Sequence, residues 1–161
     1  MITMKKLSVT VLFLLQLHAA IAQNKTEDVT LTDMLKIKTV GNITVSKDGK
    51  RAAFTVNTIE NDENNKLDYK YRSQIFTTKI LENGAPVQLT THKDGATKPA
   101  WSPDGKQIAF TRSIEEKNQI FILSMEGGEP MQLTKDRYGA SNPKWSPDGK
   151  KNTFFIQHTF T

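Results

Sequence analysis

One phrase stands twice in full and once in altered form in this chain: Trp101-Ser102-Pro103-Asp104-Gly105-Lys106, Trp145-Ser146-Pro147-Asp148-Gly149-Lys150 and Val45-Ser46-Lys47-Asp48-Gly49-Lys50. The two full copies are 44 residues apart, and Gln88-Leu89-Thr90 returns as Gln132-Leu133-Thr134 at the same spacing. A period of about 40 to 45 residues with four short strands per unit marks propeller blades, each of which buries its faces only by stacking on neighbours. The fold class that follows is all-β: a partial β-propeller of four-stranded antiparallel blades, preceded by a signal peptide and a short helix.

Turn residues cut the clearest unit, 98–134, into strands. Pro103 has the fixed φ that suits the second position of a type I turn, and Gly105 takes the positive φ beyond it. The chain therefore reverses there. Gln107 to Ser113 and Gln119 to Met125 read as the next two strands around a polar loop at Glu115 to Lys117, and Gly127-Gly128 makes the third reversal. Pro130 to Thr134 closes the unit on its edge, where a missing N–H is tolerated. Ile120-Phe121-Ile122-Leu123 is apolar without alternation, as a strand covered on both faces must be.

An earlier blade spans 41–90 in the same order. The phrase-to-phrase spacing there is 56 residues, and the excess falls in a polar run read as a long loop, 58–71, between the second and third strands. A third blade begins at 142 and is expected to be truncated within 142–161; Asn152 and Thr153 replace Ile108 and Ala109 in its second strand. In an up-and-down meander the Asp-Gly and Gly-Gly turns share one end of the blades. The long loop, the Glu115 loop and the connectors near His92 and Tyr138 share the other.

Residues 1–22 are set apart. Lys5 and Lys6 precede an apolar run of 11 residues from Leu7 to Leu17 and then Ala20-Ile21-Ala22. That run is too short for a membrane span of about 20 residues and has the layout of a cleaved signal peptide. The product is expected to be periplasmic or secreted, with no membrane attachment after cleavage. A leader, 23–40, follows, in which Thr30 can cap a short helix that Asp33 answers three residues on.

The composition excludes several classes. Of the 22 basic residues two belong to the signal, and the rest are mixed among 17 acidic ones without a stripe, so no nucleic acid is expected as a partner. The chain has no cysteine, which removes disulfides, thiolate zinc sites and a cysteine nucleophile together. His92 and His158 have no metal-ligand spacing between them. Asp48, Asp104 and Asp148 read as turn residues that bond within their own reversal, not as a calcium array. Gly139-Ala140-Ser141-Asn142-Pro143 lacks the final glycine of a nucleophile elbow, and Ser141 corresponds to Thr97 in a repeated connector. Glu115 and Glu116 read as an exposed hairpin tip. No catalytic, cofactor-binding or metal-ligating residue is expected, and no cofactor.

The repeat, with Ile108-Ala109-Phe110 after it and Gly127-Gly128 and Gln132-Leu133-Thr134 closing it, resembles the propeller repeats of two exported groups. One is the translocation protein TolB. The other is the propeller of prolyl oligopeptidase family serine peptidases, especially acylaminoacyl-peptidase-like and dipeptidyl-peptidase-like members. The short leader through Thr32-Asp33-Met34-Leu35 into Val45-Ser46-Lys47-Asp48-Gly49-Lys50 looks like the start of those peptidases. The resemblance implies a propeller that covers a following α/β-hydrolase domain and admits short peptides as substrate; the rival is a TolB-like module that binds protein partners through exposed blade faces. No residue here matches the family's Ser, Asp or His, so the resemblance carries over no catalytic role and the chain alone is expected to be inactive.

Rings of this kind need four to eight blades, and each large apolar side chain left uncovered forgoes roughly 1.5 to 3 kcal/mol. The isolated 161-residue chain is therefore expected to aggregate or to hold a mobile fold; a sharp, reversible two-state melt of monomer would contradict this.

Overall fold

The computed structural model describes residues 29–62, 65, 68–82 and 84–156; the expected signal peptide and His158 lie outside them. The chain divides between Asp33 and Met34, and every strand among the described residues lies after that division. Thr30 opens a one-turn helix α1 (Leu31–Met34). Its cap runs through Asp33, whose carboxylate accepts from the Thr30 N–H at 2.9 Å and from Thr30 Oγ1 at 2.7 Å.

Among the described residues ten strands follow: β1 (Thr39–Val45), β2 (Arg51–Asn61), β3 (Tyr69–Lys79), β4 (Val87–Gln88), β5 (Thr97–Trp101), β6 (Gln107–Ile114), β7 (Lys117–Ser124), β8 (Met131–Gln132), β9 (Ala140–Trp145) and β10 (Asn152–Ile156). They form antiparallel sheets ordered β1-β2-β3-β4, β5-β6-β7-β8 and β9-β10. The chain is thus nearly all β, with each four-stranded sheet a meander of consecutive strands.

The first reversal of each unit is built in the same way. Gly49, Gly105 and Gly149 take φ of 71°, 69° and 71°, the left-handed region that glycine enters without a Cβ clash. Ser102 Oγ donates to Asp104 Oδ1 at 2.6 Å, and the Lys106 N–H donates to the same oxygen at 3.0 Å. The Gln107 N–H donates to Ser102 Oγ at 2.9 Å, which fixes where β6 starts relative to β5. Ser46 and Asp48 repeat this network around Lys50 and Arg51, and Ser146 and Asp148 around Lys150 and Lys151.

A second device also recurs. The register slips between Gly41 and Thr44 in β1 and between Thr97 and Ala100 in β5, so that two residues oppose one on the partner strand. Between Ser141 and Lys144 in β9 the pairing with β10 slips likewise. At each bulge one non-glycine residue is left-handed: Asn42 (φ 46°), Lys98 (φ 51°) and Asn142 (φ 59°). Asparagine tolerates this conformation; lysine does so at a cost.

The period-2 alternation gives each sheet a small face and a large one. Ala53 and Ile75 of the first sheet pack with Trp101, Ile108, Phe110, Phe121 and Leu123 of the second. On the second sheet's other face, Ala109 and Ile120 pack with Ala140 of β9, and Trp145 rests against them. Small face meets large face in the same direction at both seams, which is how the core continues from sheet to sheet.

Three boundaries depart from the sequence reading. Both ends of the expected loop 58–71 are paired: β2 and β3 run together through Thr58↔Arg72, Ile59↔Tyr71, Glu60↔Lys70 and Asn61↔Tyr69. Cross-strand ion pairs Arg72–Glu60 (3.2 Å) and Lys70–Asp62 hold a polar ribbon that apolar periodicity cannot reveal. The fourth strands are two residues each, shorter than Pro86–Thr90 and Pro130–Thr134. There the Thr90 hydroxyl takes the Ile75 N–H (2.9 Å) and the Thr134 hydroxyl takes the Ile120 N–H (2.9 Å), so side chains replace the ladder. The first sheet opens at Thr39, inside the segment 23–40 read as leader.

Replacing Lys98 by Asn, the residue that both flanking units use at this bulge, relieves part of a left-handed penalty of roughly 1 to 2 kcal/mol. In the full gene product Lys98→Asn is expected to raise the urea midpoint by the equivalent of about 0.5 to 1 kcal/mol; an unchanged or lowered midpoint contradicts the strain.

Candidate functional site

The inner strands β1, β5 and β9 are edge strands of their sheets and lie next to one another, so their turn-side ends converge. Between them runs a groove of about 460 Å³, lined by Thr44, Val45, Ala100, Trp101, Lys144 and Trp145 among others. Each inner strand contributes the same two repeat positions, which is why the groove crosses the seams in register.

Its aromatic wall is held from sheet to sheet. Trp145 Nε1–H donates to the Ala100 carbonyl at 3.0 Å, joining β9 to β5. Trp101, the equivalent residue one unit earlier, is 8% exposed and its Nε1–H has no partner among the described residues. Arg51 lies 4.8 Å from its ring and donates to the Gly105 carbonyl at 2.6 Å. This clamp reaches from β2 of the first sheet over the indole of the second, adding a cation–π contact to the packed seam.

At the rim sit the three Ser-Asp reversals. The serine hydroxyl, then the lysine amide two residues on, hold the carboxyls of Asp48, Asp104 and Asp148 below their ordinary value of 3.8. Each carboxylate is spent inside its own turn, and no three His, Asp or Glu side chains gather to hold a metal ion among the described residues.

The other end of the sheets carries different chemistry. The β2–β3 ribbon pairs seven residues beyond Phe54↔Phe76, against four beyond Phe110↔Phe121 in the second sheet. Tyr71 is 83% exposed and Tyr69 50% on this ribbon. His92 Nδ1 stands 3.2 Å from Asp94 on the exposed connector. Glu115 and Glu116 form a two-residue turn, both with positive φ. Ser141 lies within β9, paired with Phe155, and is not at a strand-to-helix turn. These residues are distributed along one end of the sheets, where His92 contacts Asp94.

Sequence reasoning missed the Arg51 clamp, the bulges and the ribbon. The bulges had a signal, since Asn42 and Asn142 keep the repeat's register around Lys98. The ribbon had one in Glu60 and Asp62 facing Lys70 and Arg72. Arg51 had none, because its partner belongs to the next unit.

A family described as the TolB beta propeller domain matches residues 48–159. None of the curated proteins matches. Among solved structures, the β-propeller domain of the trilobed protease from Pyrococcus furiosus aligns over 74% of this chain and 34% of its own, at 24% identity and a TM-score of 0.58. Acylaminoacyl peptidase from Pyrococcus horikoshii aligns over 73% of this chain and 17% of its own, at 20% identity and a TM-score of 0.56. A putative TolB from Agrobacterium tumefaciens aligns over 68% and 35%, at 29% identity and a TM-score of 0.52. The chain thus spans about a third of the propeller domain and of TolB, and about a sixth of the peptidase.

In the full gene product, the depressed carboxyl values of Asp48, Asp104 and Asp148 contribute stability above the unfolded value of about 3.9, and that contribution is lost as pH falls through the lower folded values. The melting temperature is expected to drop on acidification below about pH 4, and Asp104→Asn is expected to lower it at neutral pH and to flatten that acid limb. An acid limb unchanged by Asp104→Asn contradicts the assignment.

Proposed function

Since the chain belongs to the TolB beta propeller domain family, we propose that it is the propeller portion of an exported serine peptidase, gating the access of short peptides to a following α/β-hydrolase domain. The observation that carries this reading is the likeness of its sheets to the propellers of peptidases over about three quarters of the chain. The groove at the converging inner strands, open and lined by Trp101 and Trp145, gives an extended peptide an aromatic wall to pass. Lys5-Lys6 and the apolar stretch after them support export. In this reading the propeller excludes folded proteins by size and supplies no reactive group.

A second reading is a TolB-like periplasmic propeller that binds protein partners and cleaves nothing. It is favoured by the 29% identity to the Agrobacterium protein, higher than to either of the two peptidase structures above.

The two are separated by the full gene product. The peptidase reading expects hydrolysis of short chromogenic peptides, slow or no cleavage of folded casein-sized proteins, and inactivation by a peptidyl chloromethyl ketone. Stable capture of a protein with no hydrolysis of any peptide would overturn it in favour of the binding module.

A further inference from the structure

Lys98 stands where the flanking units have asparagine. Its backbone is left-handed (φ 51°), as at Asn42 and Asn142, and lysine accepts that conformation only at a cost. Strain of this kind persists at ligand clamps and active sites, where the side chain has a task. What lysine adds to the bulge is an exposed cation. Two more cations stand on the same side of the sheets. Lys144 lies on β9 and Lys47 two residues beyond β1; both are exposed, and both line the groove between the inner strands. Strands β1, β5 and β9 contain no Asp or Glu, in a chain whose 22 Lys and Arg are otherwise mixed with 17 acidic residues. None of Lys47, Lys98 and Lys144 makes an ion pair among the described residues.

The groove itself is lined by no carboxylate. Asp48, Asp104 and Asp148 stand at its rim, and each receives a serine hydroxyl and a lysine amide within its own reversal. Between the lysines the wall is apolar, with Val45 51% exposed and Trp145 half-buried. Lys98 precedes Trp101 by three residues on β5, roughly 10 Å along an extended strand. A pentapeptide is about 16 Å long when extended, enough to lie in the groove and reach Lys98.

We infer that the inner strands select acidic peptides: Lys47, Lys98 and Lys144 pair with carboxylates of an extended segment whose apolar side chain rests on Val45 and Trp145. Charge complementarity names the occupant, since the inner strands and the groove lining supply cations and no anion. The inference rests on the groove being the peptide path of the gating reading and adds the class of peptide that the path favours.

The test titrates the full gene product, treated with diisopropyl fluorophosphate so that no peptide is turned over, with acetyl-Ala-Glu-Phe-Glu-Ala-amide and its neutral twin acetyl-Ala-Gln-Phe-Gln-Ala-amide in a calorimeter. The acidic peptide is expected to bind about tenfold tighter at low salt, the sum of a few exposed ion pairs, and the preference is expected to shrink toward one at roughly 0.5 M salt as those pairs are screened. Lys98→Asn is expected to cut the preference about threefold while raising the urea midpoint, so that affinity and stability move in opposite directions. Lys47→Gln and Lys144→Ala added to it are expected to bring the ratio to about one. Lys135→Gln, which removes a cation from the exposed connector after β8, is expected to leave the ratio unchanged. Equal affinity of the parent for both peptides, or an equal loss of preference with Lys135→Gln, would overturn the selectivity. Hydrolysis by the untreated protein is read separately. Cleavage of both peptides at equal kcat/KM with equal affinity sinks the selectivity and leaves the gating reading standing; preferential binding of the acidic peptide with cleavage of neither supports the site and moves the protein to the binding-module reading.

Discussion

The sheets of this protein depend on one small hydrogen-bonded reversal. Ser102 receives the Gln107 amide and gives its own proton to Asp104, which also receives the Lys106 amide. With Gly105 left-handed, the chain has one way back, and the register of β5 on β6 is settled before any packing. A one-residue slip would turn Ile108 and Phe110 to the opposite face and empty the seam. Because the same network stands at Ser46 and Ser146, each sheet presents its faces in the same phase.

That common phase is what lets the sheets stack head to tail. The first sheet presents Ala53 and Ile75 to the tryptophan and phenylalanines of the second, and the second presents Ala109 and Ile120 to Ala140 and Trp145 of the third. Burial of Ile108 and Phe110, both 0% exposed, contributes roughly 1.5 to 3 kcal/mol each. Two long-range bonds then tie the inner edges: Arg51 over Trp101 to Gly105, and Trp145 to Ala100. The groove at the converging inner strands follows from this stacking, since its walls are the same repeat positions brought side by side. The likeness to peptidase and TolB propellers lies in this stacked-sheet architecture.

Architecture was legible in the sequence because turns and periods are local. Asp104-Gly105 and the unbroken apolar run from Ile120 to Leu123 each state their structure within a few residues. The ribbon of Thr58 to Arg72 was not legible as strand, since its pairing rests on ion pairs between residues that only a hairpin brings opposite each other. The brevity of β4 and β8 was equally hidden, because Thr90 and Thr134 capture amides that a longer ladder would otherwise use. Contacts across seams, such as Arg51 with Trp101 and Trp145 with Ala100, depend on the rotation between sheets, which no period encodes.

The central claim is that three separate reversals are closed by serine and aspartate side chains. Native-state amide hydrogen exchange of Arg51, Gln107 and Lys151, each of whose N–H groups donates to a serine Oγ, tests it directly. Strong protection of all three, lost at Gln107 alone on Ser102→Ala, is the predicted result. Exchange at unprotected rates, or a loss of protection that Ser102→Ala spreads equally over every strand, would contradict it.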